Sequence, residues 1–161
     1  MQKPWFAIMN QNTVKIYSEV DSENSLKEIV TLQNPLGRER NRSLVRKQAG
    51  HEQKTIGRMS TVRYSHPKRS DPHEIAAKQF AKKIALYLEE ERRQNHFLNL
   101  TILAEPGFMG KVSASMNANL KKVVVNWIKK DFVKTPKSKL LAILSNLNQD
   151  AKMSLSSAIG R

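Results

Sequence analysis

Acid–base or metal chemistry in this chain would have to run through four histidines, His51, His66, His73 and His96, and 14 carboxylate side chains. There is no cysteine, which excludes disulfides, thiolate nucleophiles and Cys-based zinc sites and suits a reducing compartment. No histidine pair has the His-x-x-x-His spacing that sets two ligands on one helix face. Three of the histidines lie in or beside a strongly basic stretch, where phosphate contact is as natural as catalysis. His73 follows Pro72 in what reads as a first helical turn, so local hydrogen bonding accounts for it. Metal-assisted phosphodiester cleavage needs several carboxylates converging on two cations that clamp the attacking and leaving oxygens. The first strand, Trp5-Phe6-Ala7-Ile8-Met9-Asn10, contains no acid. Glu105 closes a later strand, while Asp71 and Glu74 open a helix, where capping and the helix dipole explain them. No Walker loop, dinucleotide-binding glycine pattern or Gly-x-Ser-x-Gly elbow occurs. The expectation is a protein with no catalytic residues, no cofactor, no metal and no small-molecule substrate.

The cations carry the stronger signal. The chain has 161 residues, with 28 Lys and Arg against 14 Asp and Glu, a net charge of +14 and a pI near 10.2. Such an imbalance opposes compaction by self-repulsion, so a polyanionic partner is expected. Asp and Glu would serve solubility better than Lys and Arg. More than half of the net charge falls between Arg38 and Arg69, within a loop read over residues 34–71. Arg38, Arg40, Arg42, Arg46, Lys47, Lys54, Arg58, Arg63, Lys68 and Arg69 stand there against Glu39 and Glu52. Gly, Ser, Thr, Gln and Asn separate them, a composition suited to moulding onto folded RNA. Arg forks bind phosphates, guanidinium planes stack on splayed bases, and Tyr64 can stack likewise. His51, Gln53 and His66 complete the candidate RNA-binding set. Apolar residues are too few there to offset a backbone ordering cost of roughly 1–2 kcal/mol per residue, so the loop is expected to order only on its partner. A second basic cluster (Lys121, Lys122, Lys129, Lys130, Lys134, Lys137, Lys139) reads as an ordinary solvated face.

The elements that must position these residues follow from hydrophobic spacing. Trp5 to Met9 is a compact apolar run, read as a buried strand. Asn10-Gln11-Asn12 is a turn, and Thr13 to Val20 alternates, with Val14 and Ile16 on one face and Lys15 and Tyr17 on the other. Leu26 to Leu32 reads as a third strand with Ile29 and Val30 inward. After the basic loop, Asp71 is a good N-cap, Pro72 suits the first helical position, and a helix runs to about Arg93. Its apolar face is Ala77, Phe80, Ala81, Ile84, Tyr87 and Leu88. His96 to Ala104 is apolar on both faces, as in a central parallel strand. Phe108 to Leu120 is expected as a second helix, Val123-Val124-Val125 as the start of another buried strand, and Lys137 to Leu147 as a third helix. The predicted fold is α/β. Three antiparallel strands and then β-α-β-α units form one mixed sheet with helices packed on it. One domain spans 1–147 with the loop 34–71 inserted, and 148–161 is a flexible tail. The start, Met1-Gln2-Lys3-Pro4-Trp5, reads as no signal peptide. No apolar run approaches the roughly 20 residues of a membrane span. A cytoplasmic protein is expected.

The segments Arg69-Ser70-Asp71-Pro72-His73-Glu74, Phe80-Ala81, Leu103-Ala104-Glu105-Pro106-Gly107-Phe108-Met109-Gly110 and Lys130-Asp131-Phe132, with the Trp5 strand, carry a resemblance. Together they resemble the bacterial host attachment protein family over roughly residues 4 to 147. Glu105-Pro106-Gly107 departs from that family's Ala-Pro-Pro, and the loop here is unusually basic. The family in turn looks like the central domain of archaeal and eukaryotic peptide-chain release factors and of Pelota, and the element order is similar to ribonuclease H-like and translation-component folds. Release factors hold a Gly-Gly-Gln in the loop before the long helix. This chain has Gly50-His51-Glu52-Gln53 and no Gly-Gly-Gln. The resemblance implies a non-catalytic protein binding the ribosome, through rRNA or tRNA, near the peptidyl transferase region, in hibernation, protection or rescue. The alternative is an interaction protein for anionic surfaces or host attachment. A third reading is an RNA-processing nuclease.

Overall fold

The structure, a computed structural model, describes residues 3–20, 25–37 and 71–147. Five strands, β1 (Lys3–Met9), β2 (Thr13–Val20), β3 (Ser25–Gln33), β4 (Phe97–Ala104) and β5 (Val124–Ile128), form one mixed sheet in the order β3-β2-β1-β4-β5. The first three are an antiparallel meander; β4 runs parallel to β1, and β5 parallel to β4. Among the described residues, four helices flank the sheet: α1 (Pro72–Arg93), α2 (Pro106–Ser115), α3 (Ala118–Lys122) and α4 (residues 137–147). The α/β class and the single mixed sheet are as expected.

Strand alternation sends side chains to two separate cores. On one face Trp5, Ala7, Met9, Val14, Ile16, Leu100 and Ile102 meet Phe80, Ile84 and Leu88 of α1 and Phe108 and Val112 of α2. On the other, Phe6, Ile8, Tyr17 and Leu103 pack against Phe132, Val133, Leu140 and Leu144. β1 and β4 are therefore covered on both sides, which is why their sequences read as nearly continuous apolar runs. Tyr17 is buried because α4 closes its face, and burial followed by Glu28's charge pushes its phenol pKa up.

Three expectations need correction. Ile29 is not inward but 36% exposed. The β2–β3 register steps from Ile16↔Val30 to Tyr17↔Glu28, so Ile29 is the extra residue of a bulge. The bulge reverses the alternation, sending Leu26 to the α4 face and Val30 and Leu32 to the α1 face. β5 is not a buried strand but the sheet's edge, with Val125 and Trp127 exposed. Phe108 to Leu120 is not one helix. The backbone of Met116 is extended, and Asn117 caps a second helix by accepting from Leu120 N at 2.7 Å. The first of the two, α2, starts earlier than expected, with Pro106 in its first turn.

At the far end of α1, Arg92 Nε and Nη2 each donate to the Glu89 carboxylate at 2.8 Å. This fork holds the Glu89 pKa at about 2, with help from the Asn117 amide and against the opposing effect of burial. A depressed carboxyl pKa stabilises the fold above its unfolded value near 4.5, and that contribution disappears as pH falls towards 2. Glu89→Gln is expected to lower stability at pH 7 by no more than about 1 kcal/mol, since water screens the partly exposed pair. Urea unfolding of wild type and variant should converge as pH falls from 5 to 2. A gap that stays constant over that range would mean the carboxylate is not what stabilises.

Candidate nucleic-acid interface

The ends of β1, β3 and β4 lie on one rim, because Met9 pairs with both Val14 and Ala104, and Thr13 pairs with Gln33. The turn joining β1 to β2 is an Asx-turn in which Asn10 Oδ1 accepts from Asn12 N at 3.0 Å and Thr13 N at 2.9 Å. Asn34, just past β3, is tied to it: Asn34 N donates to Asn12 O at 2.8 Å, and Asn34 Nδ2 to Gln11 O at 3.0 Å. Gly37 fits close beside this knot, since a Cβ there would run into Asn12 Oδ1 and force that amide to shift. The chain leaves the described rim at this point, before the basic segment 38–70.

It returns at α1. Asp71 caps that helix, accepting from His73 N at 3.0 Å, and Glu74 in the first turn pairs with Lys111 of α2 at 3.2 Å and Lys78 at 3.7 Å. α1 ends where β4 begins, so its first turn sits at the same end of the sheet as the C-termini of β1 and β4. Both anchors of residues 38–70 therefore lie at the carboxyl end of the parallel strands, where open α/β sheets commonly place their ligands. Two further carboxylates share that rim. Asp131 Oδ2 accepts from Asn10 Nδ2 at 3.0 Å, its Oδ1 accepts from Val133 N at 2.9 Å, and Glu105 Oε1 accepts from Gln11 Nε2 at 3.4 Å.

All fourteen sequence-derived RNA-binding residues (Arg38, Arg40, Arg42, Arg46, Lys47, His51, Gln53, Lys54, Arg58, Arg63, Tyr64, His66, Lys68 and Arg69) lie outside the described residues. Within the described residues, His73 makes the local capping contact expected of it through its backbone. His96 pairs through Nδ1 with Glu91. Burial, then the Glu91 carboxylate, pushes the neighbouring Tyr87 phenol to about 12. No group of three or more His, Asp or Glu among the described residues is placed to hold a metal ion.

The second basic cluster divides by environment. Lys137 lies 3.9 Å from Glu28 and over the Tyr17 ring at 5.7 Å, which ties it to the fold. Lys130 sits over the Phe132 ring at 5.3 Å. Lys121, Lys122, Lys129, Lys134 and Lys139 are exposed, with no carboxylate in ion-pair contact among the described residues. Sequence reasoning passed over Trp127, whose alternation with Ile128 in a lysine-flanked strand was the available signal.

The α/β sheet with a cationic segment anchored at its carboxyl rim defines the class to which the comparisons add a family. A family model described as "Protein required for attachment to host cells" matches residues 5–144, and the chain belongs to that family. No curated protein matches it. Among solved structures it is similar to the Aquifex aeolicus Ppx/GppA phosphatase, type II variant, at 12% identity and a TM-score of 0.39. The match covers 80% of this chain and 36% of that one, so the chain spans about a third of the phosphatase's length. No helix among the described residues is long and apolar enough to cross a membrane.

Proposed function

We propose that this protein binds RNA on the ribosome without catalysing a reaction, as a hibernation, protection or rescue factor. The observation that carries the reading is the charge and its placement: +14 overall, with the densest basic segment anchored at both ends to one rim of the sheet. Exposed lysines without acidic partners on the described surface add to it. Phosphates would answer both. The resemblance to the central domain of release factors and Pelota supports a ribosomal target, and the missing Gly-Gly-Gln argues against peptide release there. The protein's place of work on this reading is the cytoplasm.

Sedimentation of lysates from growing and starved cells, with gradient fractions blotted for the protein, tests this. Co-migration with ribosomal particles, removed by high salt, is the expected outcome. Protein confined to the top of the gradient in both states would overturn it.

Purified protein is also expected neither to cut RNA with Mg²⁺ or Mn²⁺ nor to release peptide from ribosome-bound peptidyl-tRNA. Metal-stimulated cleavage abolished by Glu105→Ala would replace the proposal with a nuclease. The family's description, attachment to host cells, favours a second reading, an interaction protein for host attachment or an anionic surface. It predicts export and binding to anionic vesicles in preference to RNA.

A further inference from the structure

The edge strand β5 carries side chains that neither core explains. Trp127 is 37% exposed and Val125 53% exposed. The register with β4 steps from Leu100↔Val124 to Thr101↔Asn126, so Val125 is bulged out of the ladder. Lys121 and Lys122 end α3 just before the strand, Lys129 and Lys130 follow it, and all four are exposed. A five-residue strand is about 16 Å long, so an exposed indole lies between two lysine pairs. None of the four makes an ion pair among the described residues.

We propose that this edge binds an unpaired RNA segment, with a base stacked on Trp127 and phosphates held by the lysine pairs at either end. The inference rests on the RNA-binding reading above but uses a different surface from residues 38–69. Every base offers a π-face to an indole, whereas a duplex keeps those faces stacked inside, so the site favours single strands without favouring a sequence. Charge decides between RNA and the other natural occupant of a free strand edge, a second copy of this chain. Two β5 strands paired antiparallel would set Lys121 and Lys122 against the neighbour's Lys129 and Lys130. Like charges facing across a ladder repel, and the Val125 bulge interrupts the hydrogen bonds. The same charges attract a phosphate backbone.

Trp5 is buried at 5% exposure, so quenching of indole fluorescence on adding ligand reports Trp127. The full chain would be titrated with a short oligoadenylate and with a duplex hairpin of equal length, and ribosome binding would be measured in parallel. Saturable quenching by the single strand, weaker for the duplex, is expected. Followed by the anisotropy of an end-labelled oligoadenylate, since the indole reporter is gone, Trp127→Leu should weaken binding about 5- to 100-fold, while Trp127→Phe, which keeps a stacking ring, should retain most of the affinity and so guard against misfolding. Changing the four lysines to Gln should weaken binding and flatten its salt dependence. Unchanged binding in Trp127→Leu overturns the proposal, as does a dimer in sedimentation that this substitution dissociates. Ribosome binding without any oligoadenylate binding removes the edge site and leaves the broader RNA reading standing. Binding to neither removes both.

Discussion

Raising salt from 50 to 200 mM is expected to weaken binding to ribosomes by about 10³-fold or more, provided six or more phosphates are neutralised. Each contact releases a condensed counterion, so log affinity should fall linearly with log salt. Ten basic residues between Arg38 and Arg69 can supply that number of contacts. Charge reversal of Arg38, Arg40 and Arg42 to Glu should therefore reduce affinity further than reversal of Lys129, Lys130 and Lys134. Arg presents a fork that matches a phosphate, whereas Lys is a point charge. Filter binding or sedimentation across a salt series measures both effects. Equal losses from the two triple variants would show that the basic segment holds no special place in binding.

Phe108→Ala is expected to lower stability by about 3–5 kcal/mol, a large fraction of the roughly 5–15 kcal/mol that holds a domain together. Phe108 has no exposed surface and stacks on Phe80 with ring centroids 6.0 Å apart. Its removal leaves a cavity between α1 and α2 that the sheet beneath cannot fill, since Ile102 and Ala104 are also fully buried. Leu86→Ala on α1 should change little, because Leu86 is 64% exposed. Urea unfolding monitored by circular dichroism compares them, and similar midpoints for the two variants would mean that the α1–α2 contact contributes little.

The elements whose signals are local were legible in the chain. Asp71-Pro72 marks the start of α1, and its 3.6-residue spacing places Phe80, Ala81, Ile84 and Leu88 on the buried face. β1 and β4 announce themselves as buried central strands because apolar residues fill both of their faces. The cationic character of the chain and the missing acid in the first strand are likewise plain from composition. The fourteen candidate RNA-binding residues, by contrast, remain a reading of the sequence, since they lie outside the described residues.

Tertiary structure decided what depends on long-range pairing. A bulge at Ile29 arises from how β3 registers on β2, and it moves every later side chain of β3 to the opposite face, a shift that the strand's own pattern does not contain. Val124 to Ile128 is apolar enough for a buried strand, yet its place outside β4 leaves Val125 and Trp127 in contact with solvent. Likewise, Asn10 and Asp131 become neighbours at 3.0 Å only because parallel strands bring distant loops to one rim. Local spacing determines which segments become helix or strand and which way their side chains alternate. Strand order and register determine which of those side chains water still reaches, and so where a ligand can bind.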